Sequence, residues 1–249
     1  MSLSVEIEDL TVERGGRPVV AGFSYTNRGP AWIGLVGANG SGKTSLLRAL
    51  AGRLPARAGR IMLGGADLSR ERGGRARLIG FATDAAMLPG DLTPRELFAI
   101  SADDRDAADD PRIRELRAAL NFETFIDRPC GSLSAGMGQR VALFAAFLDL
   151  PAIVLLDEPF NWLDPLTAFD TKRSLRQMVD HNGVTLITAL HDVSTLTAYC
   201  DRGILMSAGK IALTLEPDDL RAGLADPVGF EARIVDRLRD PGQQAPGRG

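Results

Sequence analysis

The chain has 249 residues, 45% hydrophobic and 24% charged, with 14 prolines, 27 glycines and two cysteines. That balance excludes a collagen-like repeat, a disulfide scaffold and a wholly disordered chain; at roughly 150 residues per domain it predicts one large domain or two small ones. The net charge of −3, from 29 basic and 32 acidic side chains without a block of one sign, predicts no nucleic-acid partner, and no apolar run reaches the roughly 18–20 residues of a membrane span.

The start, MSLSVEIEDL, has no basic flank followed by an apolar stretch, so no secretory leader is expected. Val5, Ile7 and Leu10–Val12 predict a strand, Gly15-Gly16-Arg17-Pro18 a tight turn, and Val19 to Tyr25 a second strand. The nearly all-apolar run Ala31–Val36 predicts a strand covered on both faces, as in a parallel sheet between helices. After a glycine-rich turn, Leu46, Leu47, Leu50 and Leu54 have helical spacing and predict a helix from about Lys43 to Leu54. Residues 57–82 read as further strands. Thr93-Pro94-Arg95-Glu96 has the residues of a capping box and starts a helix, and Asp109 to Leu120 reads as a second amphipathic helix. The strand pattern resumes at Ile153–Leu156 and Thr185–Thr188, and Gly203 to Leu213 reads as a hairpin turning at Ala208-Gly209-Lys210. The Pro-, Gly- and Gln-rich end, Asp240–Gly249, is expected to be disordered. Cys130 and Cys200 stand apart and are expected to be reduced thiols.

Four segments carry chemistry. Gly37-Ala38-Asn39-Gly40-Ser41-Gly42-Lys43-Thr44 fits G-x-x-x-x-G-K-[ST] between a buried strand and a helix. Glycines there let successive N–H groups turn inward on phosphate oxygens, and the helix N-terminus adds partial positive charge. Lys43 reaches the outer phosphates and Thr44 offers a hydroxyl to Mg²⁺. The second segment is Ala152–Pro159, where four apolar residues end in Asp157-Glu158. At the carboxyl end of a parallel strand Asp157 can hold Mg²⁺ and Glu158 can accept a proton from water; alone, the pair is equally a solvated acidic turn. The third, Leu133-Ser134-Ala135-Gly136-Met137, opens an amphipathic helix and can receive an anion, although such starts are common as plain caps. In the fourth, His191 follows a buried strand and can hydrogen-bond a phosphate; a lone histidine is more often structural. His181 falls in a turn and is expected to be solvated.

In this order, and over about Val5 to Leu215, these segments resemble the nucleotide-binding subunit of ABC transporters, with features similar to small bacterial exporters. Gly37–Thr44 matches Walker A, Leu133–Met137 resembles the LSGGQ signature, Ile153–Glu158 matches Walker B, Phe160–Asp164 stands at the D-loop and His191 at the switch histidine. The resemblance implies an α/β P-loop NTPase core with a mostly parallel sheet, an N-terminal antiparallel β subdomain and a helical insertion at about 85–150. The cassette is expected over 1–220, followed by a C-terminal helix and tail over 221–249. The implied activity is hydrolysis of ATP with Mg²⁺, in a head-to-tail dimer with itself or a paralogous ATPase.

Residue by residue, the resemblance assigns catalysis to Glu158, His191 and Lys43. Nucleotide contacts fall to Gly37, Asn39, Gly40, Ser41, Gly42, Lys43, Thr44 and Ser45. Ser134 and Gly136 would touch the nucleotide of the partner, with Asp164 tying the two sites together. Metal binding falls to Thr44, Asp157 and Asp84. Three positions depart from the family pattern: Asp84 replaces the Q-loop glutamine, Arg14 the aromatic that stacks on adenine, and Ala135 and Met137 alter the signature. A carboxylate can still serve Mg²⁺, and a guanidinium plane can still stack on a base.

With no span of its own, such a subunit requires a separate transmembrane permease and is expected in the cytoplasm, peripheral on the inner face of the membrane. Met87, Leu88 and Leu92 either form its docking surface near Asp84–Glu96 or pack internally. Export is the expected direction. The alternatives are a soluble ABC-type ATPase and a regulatory nucleotide-binding module that does not hydrolyse.

Overall fold

Two sheets organise the chain, and the computed structural model describes them within residues 3–82, 84–104 and 106–239. Strands β1 (Val5–Arg14) and β2 (Arg17–Asn27) form a hairpin through Gly15-Gly16. Strand β3 (Trp32–Val36) leads to helix α1 (Lys43–Leu50), and β4 (Ala58–Leu63) and β5 (Ala66–Asp67) follow. Helix α2 (Arg72–Leu78) then precedes β6 (Ile79–Phe81). Residues 82–152 hold helices α3 (Pro94–Ser101), α4 (Arg114–Leu120) and α5 (Ala135–Ala145), short 3-10 turns and, among the described residues, no strand. Next come β7 (Ile153–Asp157), α6 (Pro165–Asn182), β8 (Thr185–Leu190) and α7 (Val193–Tyr199). The hairpin β9 (Arg202–Ser207) and β10 (Lys210–Leu215), then α8 (Pro217–Ala225) and α9 (Pro227–Arg239), complete the described chain.

The smaller sheet is antiparallel, in the order β2-β1-β4-β5. The larger has the order β10-β9-β3-β8-β7-β6 and is parallel from β9 to β6, with β10 antiparallel at one edge. This is the expected α/β architecture: an antiparallel N-terminal sheet, a mostly parallel core and a helical insert.

Successive residues of a strand point to opposite faces, and both faces of the large sheet are covered. Ile33, Leu35, Ile153, Leu155 and Ile187 pack with α1 and the small sheet. Trp32, Val154, Leu156 and Leu186 face the opposite side, against Phe144, Phe147, Leu175 and Met178. Covering both faces explains why β3 and β8 read as unbroken apolar runs rather than alternating ones.

Four elements differ from expectation. Helix α1 stops at Leu50, where Gly52 N donates to Ala49 O at 3.1 Å and closes the last turn. Residues 72–78 are helical, although Arg-Gly-Gly-Arg has poor helix propensity. Tertiary bonds hold this helix: fully buried Arg75 donates to the carbonyls of Leu68, Ser69 at 2.9 Å and Ala49 at 3.3 Å. The helix expected from Asp109 starts at Arg114, behind 3-10 turns at Ala107–Asp109 and Pro111–Ile113, because Pro111 has no N–H to continue a helix through it. Helix α6 has no counterpart among the elements expected from the sequence, and His181, expected in a turn, lies exposed on its last turn. The expected disordered end, Asp240–Gly249, lies outside the described residues.

The capping box of α3 is formed as expected. Glu96 N donates to Thr93 Oγ1 at 3.2 Å and Thr93 N donates to Glu96 Oε2 at 2.9 Å. Thr93→Ala is expected to cost about 1 kcal/mol and to lower Tm by roughly 2–4 °C in a chain of this size. A thermal melt reads this directly, and an unchanged Tm would place the anchoring of α3 elsewhere.

Candidate nucleotide site

Strand register brings the motifs together. Val36 pairs with Leu190, and Asp157 with Ala189, so β3, β8 and β7 end at one edge of the sheet. The residues that leave those ends are Gly37, His191 and Glu158. The carboxyl edge of a parallel sheet is where α/β folds open a crevice for ligands.

The loop Gly37–Thr44 curls tightly: Ser41 N donates to Ala38 O at 3.1 Å, and Leu46 N donates to Gly42 O at 2.9 Å to start α1. Gly42 has φ +104, and a Cβ there would lie 2.4 Å from Val19 O, so no side chain fits. From the other side, Gly209 N in the β9–β10 turn donates to Ser41 O at 3.0 Å. Ala38, Asn39 and Gly40 are exposed at the mouth, while Ser41, Lys43 and Ser45 are buried.

Lys43 is only 5% exposed, and its ammonium donates to Gly37 O at 2.6 Å and Ala38 O at 3.4 Å. Burial pulls its pKa below the usual lysine value, and the carboxylates of Glu158 and Asp157 oppose that shift. The buried Ser41 Oγ has no hydrogen-bond partner. A buried cation, an orphaned hydroxyl and the first N–H groups of a helix fit a polyphosphate.

Thr44 Oγ1 donates to Asp157 Oδ1 at 3.2 Å. Desolvation raises the pKa of Asp157; the Thr44 hydrogen bond lowers it and the charge of Glu158 raises it further. This hydroxyl–carboxylate pair is the hard-oxygen donor set that suits Mg²⁺. Asp84 is exposed, accepts from Ala86 N at 3.0 Å, and lines the same cleft of about 290 Å³ as Thr44, Arg48, Asp157 and Glu158. Among the described residues, however, no three acidic, histidine or cysteine side chains converge as a metal cage, so Asp84 does not join Asp157 and Glu158 in one.

Glu158 and His191 meet directly, with His191 Nε2 2.5 Å from Glu158 Oε1. Three neighbours here were not anticipated from sequence. Arg48 lines the cleft, Asn161 Nδ2 donates to Glu158 Oε2 at 2.9 Å, and buried Gln139 Nε2 donates to Pro159 O at 3.4 Å. The available signal was proximity to the motifs: Arg48 lies one helical turn after Thr44, and Asn161 three residues after Glu158.

The remaining expected residues lie elsewhere. Ser134 caps α5, its Oγ accepting from Met137 N at 3.3 Å, and a Cβ on Gly136 would sit 2.4 Å from Trp162 O. Asp164 caps α6, accepting from Thr167 N at 3.0 Å, and pairs with Arg140 at 2.8 Å. The Thr167 hydrogen bonds hold the Asp164 carboxyl below its usual pKa. Ser134, Gly136 and Asp164 do not line the cleft beside Thr44. Arg14 is exposed at the end of β1, paired in register with Arg17, and does not line it either.

The ABC transporter family model matches residues 21–161. The chain is 32% identical over 225 residues to the sulfate/thiosulfate import ATP-binding protein CysA of Methylococcus capsulatus, covering 88% of this chain and 64% of that one. It is 30% identical to the phosphonates import ATP-binding protein PhnC of Ruegeria pomeroyi, covering 89% and 86%, respectively. Against the cytochrome c biogenesis ATP-binding export protein CcmA of Pseudomonas fluorescens, identity is 36% over 166 residues, 67% of this chain and 79% of that one. The similarity to exporters expected from the sequence is therefore not specific, since import subunits are as similar. A dimeric ATP-binding cassette solved in a post-hydrolysis state with ADP and Pi shares the fold, with a TM-score of 0.76 at 21% identity, covering 86% of this chain and 98% of that one. The chain belongs to the ABC transporter family, as an ATP-binding cassette with the fold of that family's ATPases.

Proposed function

We propose that this chain binds ATP with Mg²⁺ and hydrolyses it in a head-to-tail pair of cassettes that drives a separate transmembrane permease. The observation that carries this reading is the meeting of Lys43, Thr44, Asp157 and the Glu158–His191 pair at one edge of the large sheet. Lys43 exchanges its bonds to Gly37 O and Ala38 O for the outer phosphate oxygens. The N–H groups from Gly37 to Ser45, with Asn39, Gly40 and Gly42 among them, and the Ser41 hydroxyl surround the rest of the polyphosphate. Thr44 and Asp157 would hold Mg²⁺, and Asp84, which lines the same cleft, would meet it through water. When bound, the metal would neutralise charge on the transferring phosphoryl group. Glu158 aligns and deprotonates water, and His191 orients Glu158 and meets the γ-phosphate.

Ser134 and Gly136 stand outside the cleft because, on this reading, they serve the nucleotide of a second cassette, identical or paralogous. Asp164, on the next helix, links the two sites. Arg14, exposed beside β2, would stack on the base.

The permease is proposed to dock in the groove of about 480 Å³ that includes Phe81, Met87, Leu88, Pro89 and Leu97. Met87 is 73% exposed there, whereas Leu88 packs partly into the core, so the loop both docks and anchors. No helix among the described residues is long and apolar enough to cross a membrane. Attachment to the inner face of a membrane would therefore come through the permease. Export is supported by the similarity to CcmA, and import, the second reading of direction, by the similarity to CysA and PhnC.

Phosphate release by the purified chain with Mg²⁺ and ATP tests the enzyme. Tight binding without release would instead favour a regulatory module, the reading suggested by Asp84 and Arg14. Co-purification with a membrane subunit tests the transport role, and a soluble ATPase would elute alone. ATP-dependent cargo uptake into inside-out vesicles would mark export.

A further inference from the structure

Glu158 is held on both oxygens and on both sides of its backbone. His191 Nε2 lies 2.5 Å from Oε1, and Asn161 Nδ2 donates to Oε2 at 2.9 Å. Glu158 N donates to Ala189 O, and Asn161 N donates to Glu158 O, each at 3.2 Å. Glu158 has φ +51, in the left-handed region that a non-glycine residue occupies only when its surroundings hold it there. Among the described residues, Asn161 is the one that grips both the backbone and the side chain of Glu158.

We propose that Asn161 is a positioning residue for hydrolysis. Its amide fixes the plane of the Glu158 carboxylate against His191 and so aims that group at the attacking water. A carboxylate turns broadly about its last side-chain bond, and the Asn161 amide on one oxygen with the His191 ring against the other removes that freedom. The next residue, Trp162, has φ +67, and its carbonyl abuts Gly136. Asn161 thus also ties Glu158 to the start of α5, the segment assigned above to the partner's nucleotide. The inference rests on the reading of Glu158 as the group that handles water.

The test is steady-state ATP turnover by the full chain, with ATP binding by calorimetry and Tm as controls. Asn161→Ala is expected to lower kcat about tenfold, the effect of losing one hydrogen bond to a charged group at a half-exposed site. KM and the ATP dissociation constant should stay within about threefold of wild type. Asn161→Asp, nearly isosteric, should fall further, because a second carboxylate repels Glu158. Asn161→Ser keeps a donor, should retain more turnover than Asn161→Ala, and serves if the Asp variant does not fold. In a Glu158→Gln background, Asn161→Ala should change the residual turnover less than about twofold, whereas a merely structural role would subtract equally in both backgrounds. Unchanged kcat in the Ala and Asp variants, a loss confined to KM, or equal losses in the two backgrounds would each overturn the proposal. A wild-type chain without turnover would overturn the hydrolase reading itself, a result distinct from active wild type with indifferent Asn161 variants.

Discussion

Glu158→Gln is expected to keep ATP and nearly stop turning it over. The amide matches the carboxylate in size, its oxygen can still accept from Asn161, and Glu158 N–H still reaches Ala189 O. Folding and binding should therefore survive. What disappears is the negative charge and the proton acceptor beside His191, and loss of a general base typically lowers rates by about 10²–10⁴. Phosphate release at saturating ATP measures the loss, and calorimetry should give an unchanged dissociation constant. Turnover close to wild type would remove Glu158 from the chemistry and shift the burden to Asp157 and the loop. Retained binding should also let the variant accumulate as an ATP-bound dimer, visible by gel filtration.

Lys43→Ala should fail one step earlier, at binding. The buried ammonium is poised over the loop carbonyls, and desolvation lowers its pKa, so pairing with phosphate oxygens both satisfies and stabilises its charge. A charge-assisted hydrogen bond is worth about 1.5–3 kcal/mol, which corresponds to a roughly 10–100-fold weaker dissociation constant for Mg²⁺-ATP. The variant must also leave Gly37 O without this donor in a buried loop, so some loss of Tm accompanies the loss of affinity. Lys43→Arg should not restore binding, since a planar fork replaces a compact point charge inside a tight ring of amides. Calorimetry showing near wild-type affinity for the Ala variant would mean that the loop amides alone hold the phosphates. Together the two variants separate capture from cleavage: one weakens the complex, the other preserves it.

How much could be read in advance depends on how local the physics is. The glycine-rich loop, the acidic strand end and the caps at Thr93 and Ser134 are set by neighbours within a few residues, and each stands where the pattern put it. Helix α2 is not legible in the sequence because bonds from buried Arg75 to the carbonyls of Leu68, Ser69 and, 26 residues away, Ala49 hold a segment whose own propensity is poor. The break at Pro111 was legible but outweighed by the apolar spacing around it. Asn161 stands within the Phe160–Asp164 segment placed at the D-loop, and nothing in the chain order says that its amide meets a carboxylate oxygen. Asp84 was expected at the metal; its side chain caps a short turn and stands in the cleft without closing a cage.

By itself the sequence determined the chemistry available to this protein: a phosphate loop, two acids, an imidazole and a signature helix, in one order along an α/β pattern. Only the tertiary structure decided which of these act together. Parallel register brings residues 37, 158 and 191 to one edge, while the starts of α5 and α6 carry Ser134, Gly136 and Asp164 away from that cleft. The reason is that strand pairing and helix packing are long-range equilibria, settled by which faces bury best, and spacing along the chain does not encode them.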